Sequence, residues 1–121
     1  MSSSSTSRVA LVVEDEWLLR DVIAEALRCA GWVVLETSTA EDAIALIRAG
    51  HRIDLVFTDI QLAGVQCGWD LAEQCRAVQP ELPIIYASGN AADRSRRVAG
   101  SLFFDKPYQP EKIVEACRRL S

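Results

Sequence analysis

This chain predicts an α/β fold: a five-stranded parallel sheet covered on both faces by helices. Two observations carry that expectation. Short apolar runs alternate with amphipathic stretches and no linker interrupts them, which is the pattern of successive β/α units. Within 9–13, 54–58 and 84–87 the apolar residues follow one another without polar alternation, as strands buried on both faces require.

The elements follow in order. Val9-Ala10-Leu11-Val12-Val13 is the first strand. Leu18, Leu19, Val22, Ile23, Ala26, Leu27 and Ala30 then form an i, i+4 stripe, and Gly31 supplies a helix stop. Trp32-Val33-Val34-Leu35 is the second strand. Ser38-Thr39-Ala40-Glu41 has the spacing of a capping box, opening a helix with Ala40, Ala43, Ile44 and Ile47 inward and Gly50 at its end. Residues 54–58 make the third strand, followed by a loop to Gly68. A helix from about Trp69 to Val78 presents Leu71, Ala72, Cys75 and Val78. Pro80 and Pro83 break the chain before the fourth strand. Asn90 is placed to cap a short helix reaching about Val98. After a fifth strand, the run Leu102-Phe103-Phe104-Asp105, Pro110 starts a final helix with Ile113, Ala116, Cys117 and Leu120 on one side.

Composition bounds the function. A chain of 121 residues makes one domain, here 8–121, behind a Ser-rich lead-in at 1–7 expected to be disordered. The net charge of -4 argues against a dedicated nucleic-acid binder. Seven of the thirteen basic residues lie at or after Arg94, a run read as a solvated face. No apolar stretch approaches the roughly 20 residues that span a bilayer, and the N-terminus lacks a signal-peptide core, so a cytoplasmic domain without membrane contact is expected. Cys29, Cys67, Cys75 and Cys117 show no metal-like spacing, and reduced or structural thiols are expected. Cys29, Cys75 and Cys117 fall on helical faces, as small hydrophobes. His51 is the only histidine and sits in a loop, which gives no support to a histidine-based triad.

Four of the strands end on polar residues: Glu14-Asp15, Asp59, Ser88, and Asp105-Lys106 before Pro107. Parallel strands bring such ends to one edge, where open α/β sheets bind ligands. In the doubly wound, flavodoxin-like order 2-1-3-4-5, the first and third strands flank the switch point, so Glu14, Asp15 and Asp59 converge there. Three carboxylates together repel one another. A hard divalent cation relieves that repulsion, and Mg²⁺ favours one or two carboxylates with waters and phosphate oxygens. Asp59 is then placed as a nucleophile toward phosphorus. Lys106 suits a metal-free contact to phosphoryl oxygens, and the Ser88 hydroxyl, next to Gly89, suits another. Taken singly, each residue also fits a cap, a turn or plain surface; the complete set in this order does not.

With Glu14-Asp15, Asp59, Ser88-Gly89 and Lys106-Pro107 at these strand ends, residues 8–120 resemble a CheY-like receiver domain of two-component response regulators. The resemblance implies that Asp59 accepts a phosphoryl group from a histidine kinase or histidine phosphotransfer protein. It further implies that Asp15, Asp59 and the backbone carbonyl of Gln61 hold Mg²⁺, with Glu14 assisting directly or through water. Lys106 would contact the phosphoryl group and Ser88 would swing toward it. Phe103 stands where the family places its aromatic switch, though an aromatic in a strand is equally a core residue. The Lys106–Pro107 bond is typically cis in the family. Activity would be limited to Mg²⁺-dependent self-phosphorylation and autodephosphorylation.

The chain departs from the family in two places. The loop 60–68 has Ala63 where proline is usual and is one residue longer than usual, which bears on site rigidity and phosphoryl lifetime. Only eighteen positions separate Ser88 from Lys106, a few fewer than usual, so the fourth helix is expected to be short or irregular and the family's usual output face altered. With Ser121 directly after the last helix, a stand-alone receiver is expected, monomeric or weakly dimeric, switching an unidentified downstream protein or draining phosphoryl groups from a kinase. A receiver excised from a hybrid kinase is the alternative. Arg20, Asp21, Glu25 and Tyr108 are the candidates for kinase specificity. Two other classes compete: a Mg²⁺-dependent aspartyl phosphohydrolase, which would want a second acid soon after Asp59 where Ile60-Gln61-Leu62 stands, and a binding module that has lost phosphorylation.

Overall fold

The computed structural model describes residues 7–89 and 94–120. Five parallel strands, β1 (Val9–Val13), β2 (Val33–Thr37), β3 (Leu55–Asp59), β4 (Ile84–Ser88) and β5 (Leu102–Asp105), form one sheet in the order β2-β1-β3-β4-β5. Four helices flank it among the described residues: α1 (Trp17–Cys29), α2 (Ala40–Arg48), α3 (Gly68–Val78) and α4 (Pro110–Leu120). The expected doubly wound arrangement is therefore present, with one helix fewer among the described residues than five β/α units would give.

Strand alternation divides the core in two. Leu11, Val13, Val56, Ile84 and Tyr86 face α2 and α3, meeting Ala43, Ile44, Ile47, Leu71, Ala72 and Cys75. Ala10, Val12, Leu55, Phe57, Ile85 and Ala87 face α1 and α4, meeting Ile23, Ala24, Leu27, Ile113, Ala116 and Cys117. Burial on both faces is why β1, β3 and β4 carry uninterrupted apolar runs, at 9–13, 55–57 and 84–87, before their polar ends. β3 and β4 are buried along their whole length.

Several local expectations need correction. The α2 cap is Thr39, whose hydroxyl accepts from Asp42 N at 3.1 Å; Glu41 does not close a box back onto the cap but reaches a different loop. Leu18 and Val22 belong to the predicted inward stripe of α1 yet are 61% and 41% exposed, because the helix buries only the narrower face around Ile23 and Leu27. Val78, at the C-terminal end of α3, is exposed as well, and so is Cys29. Over 94–100 the predicted helix from Asn90 to Val98 is replaced by turns; 90–93, Asn90 included, lie outside the described residues.

Candidate functional site

The register that builds the sheet also builds the site. Pairing of Val13 with Thr58 and of Asp59 with Ala87 puts the ends of β1, β3 and β4 level, so the residues after them share one edge. Carboxylate oxygens of Glu14, Asp15 and Asp59 all lie within 4.8 Å of one another. Glu14 and Asp59 are buried and Asp15 is exposed, a pocket with one open side. Lys106 reaches in from beyond β5: its Nζ donates to Asp59 Oδ2 at 2.9 Å and to Glu14 Oε1 at 3.2 Å. Ser88, also buried, ends β4, and its carbonyl accepts from Lys106 N at 3.0 Å, tying the two segments together. The Lys106–Pro107 peptide bond is cis.

Three acids and one ammonium in a half-buried pocket are poorly balanced. Burial is the main force on Glu14 and pushes its carboxyl up to about 7, against the Glu16 N–H, which donates to it at 3.1 Å, and with the repulsion of Asp59 added. Burial would lower the Lys106 ammonium, but its hydrogen bond to Asp59 and the charges of Asp59 and Glu14 override that and raise it. The pocket thus holds more acid than its own cation neutralises. Hard oxygen donors clustered this closely, with one side open to water, fit a small divalent cation such as Mg²⁺.

Gln61 N lies 3.4 Å from Asp59 Oδ1, so the loop turns back over the acid immediately after β3. Phe103 is half-buried and faces α3. Its ring stacks on Trp69 (centroids 6.1 Å apart), lies 6.2 Å from Tyr86, and carries the Arg94 guanidinium 3.9 Å from its centre. Tyr108 packs edge-on against Phe57 at 5.8 Å.

Sequence reasoning missed three residues. Arg20, assigned to an exposed recognition face, instead donates to the Glu14 carbonyl at 2.8 Å and pairs with Glu36, bracing the acidic turn from α1. Gly68 lies so close to the Asp59 carbonyl that a β-carbon would collide with it; a glycine at a loop–helix junction is the only signal it left. Glu41 holds the loop after β3 from α2, and its capping-box position pointed elsewhere.

The family description "Response regulator receiver domain" matches residues 10–118. The chain belongs to that family. Its relatives include the probable transcriptional regulatory protein TcrX of Mycobacterium tuberculosis, 31% identical over 91% of this chain and 48% of that one. They also include the autoinducer 1 sensor kinase/phosphatase LuxN of Vibrio campbellii, 25% identical over 91% of this chain and 13% of that one. The receiver therefore spans half or less of these two relatives. Among solved structures, a response regulator receiver protein from Sinorhizobium medicae superposes with a TM-score of 0.91 at 32% identity, covering 94% of each chain. The receiver domain of the hybrid histidine kinase CckA gives 0.79 at 28%, covering 93% of this chain and 97% of that one. In this receiver no helix of the described residues is long and apolar enough to cross a membrane.

Proposed function

We propose that this receiver accepts a phosphoryl group on Asp59 from a phosphohistidine of a histidine kinase or phosphotransfer protein. The observation that carries the reading is the Lys106 ammonium held between Asp59 and Glu14 across a chain separation of 47 and 92 residues. Asp15, Asp59 and the Gln61 carbonyl would hold Mg²⁺, with Glu14 contributing directly or through water. Bound there, the cation would offset the carboxylate charge and that of the incoming phosphoryl oxygens.

The chain's own groups have distinct tasks. An Asp59 carboxylate oxygen forms the new bond to phosphorus as the bond from phosphorus to the donor imidazole nitrogen breaks; with the donor ring's other nitrogen carrying a proton, the leaving nitrogen keeps the electron pair and departs in a neutral imidazole. Lys106 exchanges its contact with Asp59 Oδ2 for one with a phosphoryl oxygen. Ser88 donates to another, which draws the end of β4 toward the acid. The added charge, roughly -1.5 to -2, then shifts the populations of the loops around the site. A change of this kind would alter binding of a downstream protein, or the receiver would serve as a phosphoryl sink or as one module of a larger kinase. Phe103 would report the change if Ser88 moves away from β5.

Incubation with acetyl phosphate and Mg²⁺ should add one phosphoryl group, seen by intact-protein mass spectrometry. Asp59→Asn should abolish the addition, and removal of Mg²⁺ with a chelator should do the same in the wild type. Full modification of the variant would remove Asp59 from this role.

A further inference from the structure

The loop from β3 to α3 carries no proline, and on the Mg²⁺-dependent reading it would have to present the Gln61 carbonyl to the cation. Its two ends are fixed by backbone bonds: Ile60 N to Ala87 O at 3.1 Å, and Gly68 N to Ile60 O at 2.8 Å. The middle is held from outside, by the first turn of α2. Ala63 forms an isolated parallel bridge with Thr39, the residue that caps α2. Two positions on, Glu41 turns its carboxylate onto the loop, and a single oxygen, Oε2, accepts from Val65 N at 3.1 Å and Gln66 N at 3.0 Å. Its other oxygen lies 2.9 Å from where a β-carbon on Gly64 would sit, and Gly64 has φ +97°, so position 64 favours glycine on both counts. Backbone N–H groups, its own first and then those of Gln66 and Val65, keep the Glu41 carboxyl below its usual range. Hydrogen bonds to an ionised acceptor are the strong kind, and two successive amides on one oxygen leave that stretch little freedom.

We infer that Glu41 is a positioning residue for the metal-binding half of the site: anchored in α2, it presets the loop that carries Gln61. The inference rests on the Mg²⁺-dependent acceptor reading above. It gives the proline-free, lengthened loop a source of rigidity, supplied by a side chain from the neighbouring helix. A preset carbonyl lowers the ordering cost of metal binding without touching the reacting atoms. Its loss should therefore weaken Mg²⁺ binding and leave the rate at saturating Mg²⁺ unchanged.

The test uses the whole chain, with Mg²⁺ titrated against tryptophan fluorescence and against the rate of modification by acetyl phosphate. Glu41→Ala should raise the Mg²⁺ half-saturation about tenfold, as for residues that orient a metal ligand, while the saturated rate stays at the wild-type value. Glu41→Gln, which keeps an acceptor oxygen, should fall between the two. A folded Glu41→Ala variant with wild-type Mg²⁺ dependence overturns the inference. Should that variant not fold, amide hydrogen exchange in the wild type decides. Coupling is reciprocal, so Mg²⁺ must slow exchange at Val65 and Gln66, and no change there overturns the inference. A wild-type chain that takes neither Mg²⁺ nor a phosphoryl group would instead overturn the parent reading.

Discussion

The two faces of the sheet are closed by different means. On one, α1 and α4 lie side by side over Phe57, Ile85 and Ala87, and the closing residues Ile23, Leu27, Ile113 and Cys117 are all aliphatic or thiol side chains. On the other, α2 and α3 cover the β1–β3 half, while the end toward β5 is finished by turns at 94–100 and by aromatic rings. There Trp69 and Phe103 stack with Tyr86 tilted against both, Arg94 caps Phe103 and pairs with Asp105, and Arg96 bridges to Asp70 and Glu73 on α3. The first closure is continuous nonpolar burial. The second depends on discrete polar contacts near the surface, individually weak. A segment held that way opens more readily than a packed helix, and it lies beside the β4 and β5 ends that carry Ser88 and Lys106.

That contrast can be broken from either side. Ile113→Ala on α4 should have the largest effect, a loss of about 2–5 kcal/mol for a fully buried aliphatic side chain. Urea unfolding would show it as a lower midpoint with the slope unchanged; a loss near zero would mean that α4 is not part of the cooperative core. Tyr86→Phe should cost less, about 1 kcal/mol, because its hydroxyl oxygen accepts from Val98 N at 3.1 Å and is the buried tie to the turn segment. Faster amide exchange at Val98 with the sheet amides unchanged would place that loss in the segment and not in the fold.

The smallest effect belongs to Arg96→Ala, under about 1 kcal/mol at neutral pH for partners this exposed. Its pH dependence has a definite sign. The hydrogen bond from Arg96, then that from Cys67 N, holds the Asp70 carboxyl below its ordinary value of 3.8. A depressed carboxyl contributes stability that is present above pH 3.8 and disappears as pH falls through the lower folded value. The difference between wild type and Arg96→Ala should therefore shrink in that acid window. A difference that persists after Asp70 is protonated would assign it to something other than this pair.

Much of the architecture was legible from pattern alone. Uninterrupted apolar runs at β1, β3 and β4 meant strands covered on both sides, and the polar residues closing them meant a shared edge. The shortened stretch between Ser88 and Lys106 signalled an irregular fourth unit, and turns occupy its described part. Less legible was anything that depended on which neighbour a polar side chain meets. Arg20 read as an exposed helix residue and braces the Glu14 carbonyl. Glu41 read as half of a local box because the sequence shows what lies three positions away, not what lies 24 positions away across a loop. Leu18 and Val22 satisfied the helical period, but period fixes a stripe's direction and not its buried width.

Residue order by itself determined the strand–helix alternation, the parallel sheet and the kinds of chemistry at its carboxyl edge, because hydrophobic period and strand-end polarity are local properties. Tertiary structure alone decided that Lys106 sits between two acids, that burial lifts the Glu14 carboxyl, and that a glutamate from α2 holds the loop beside Asp59. Those outcomes depend on distance and on exclusion of water between segments far apart in the chain, and neither exists until the sheet has formed.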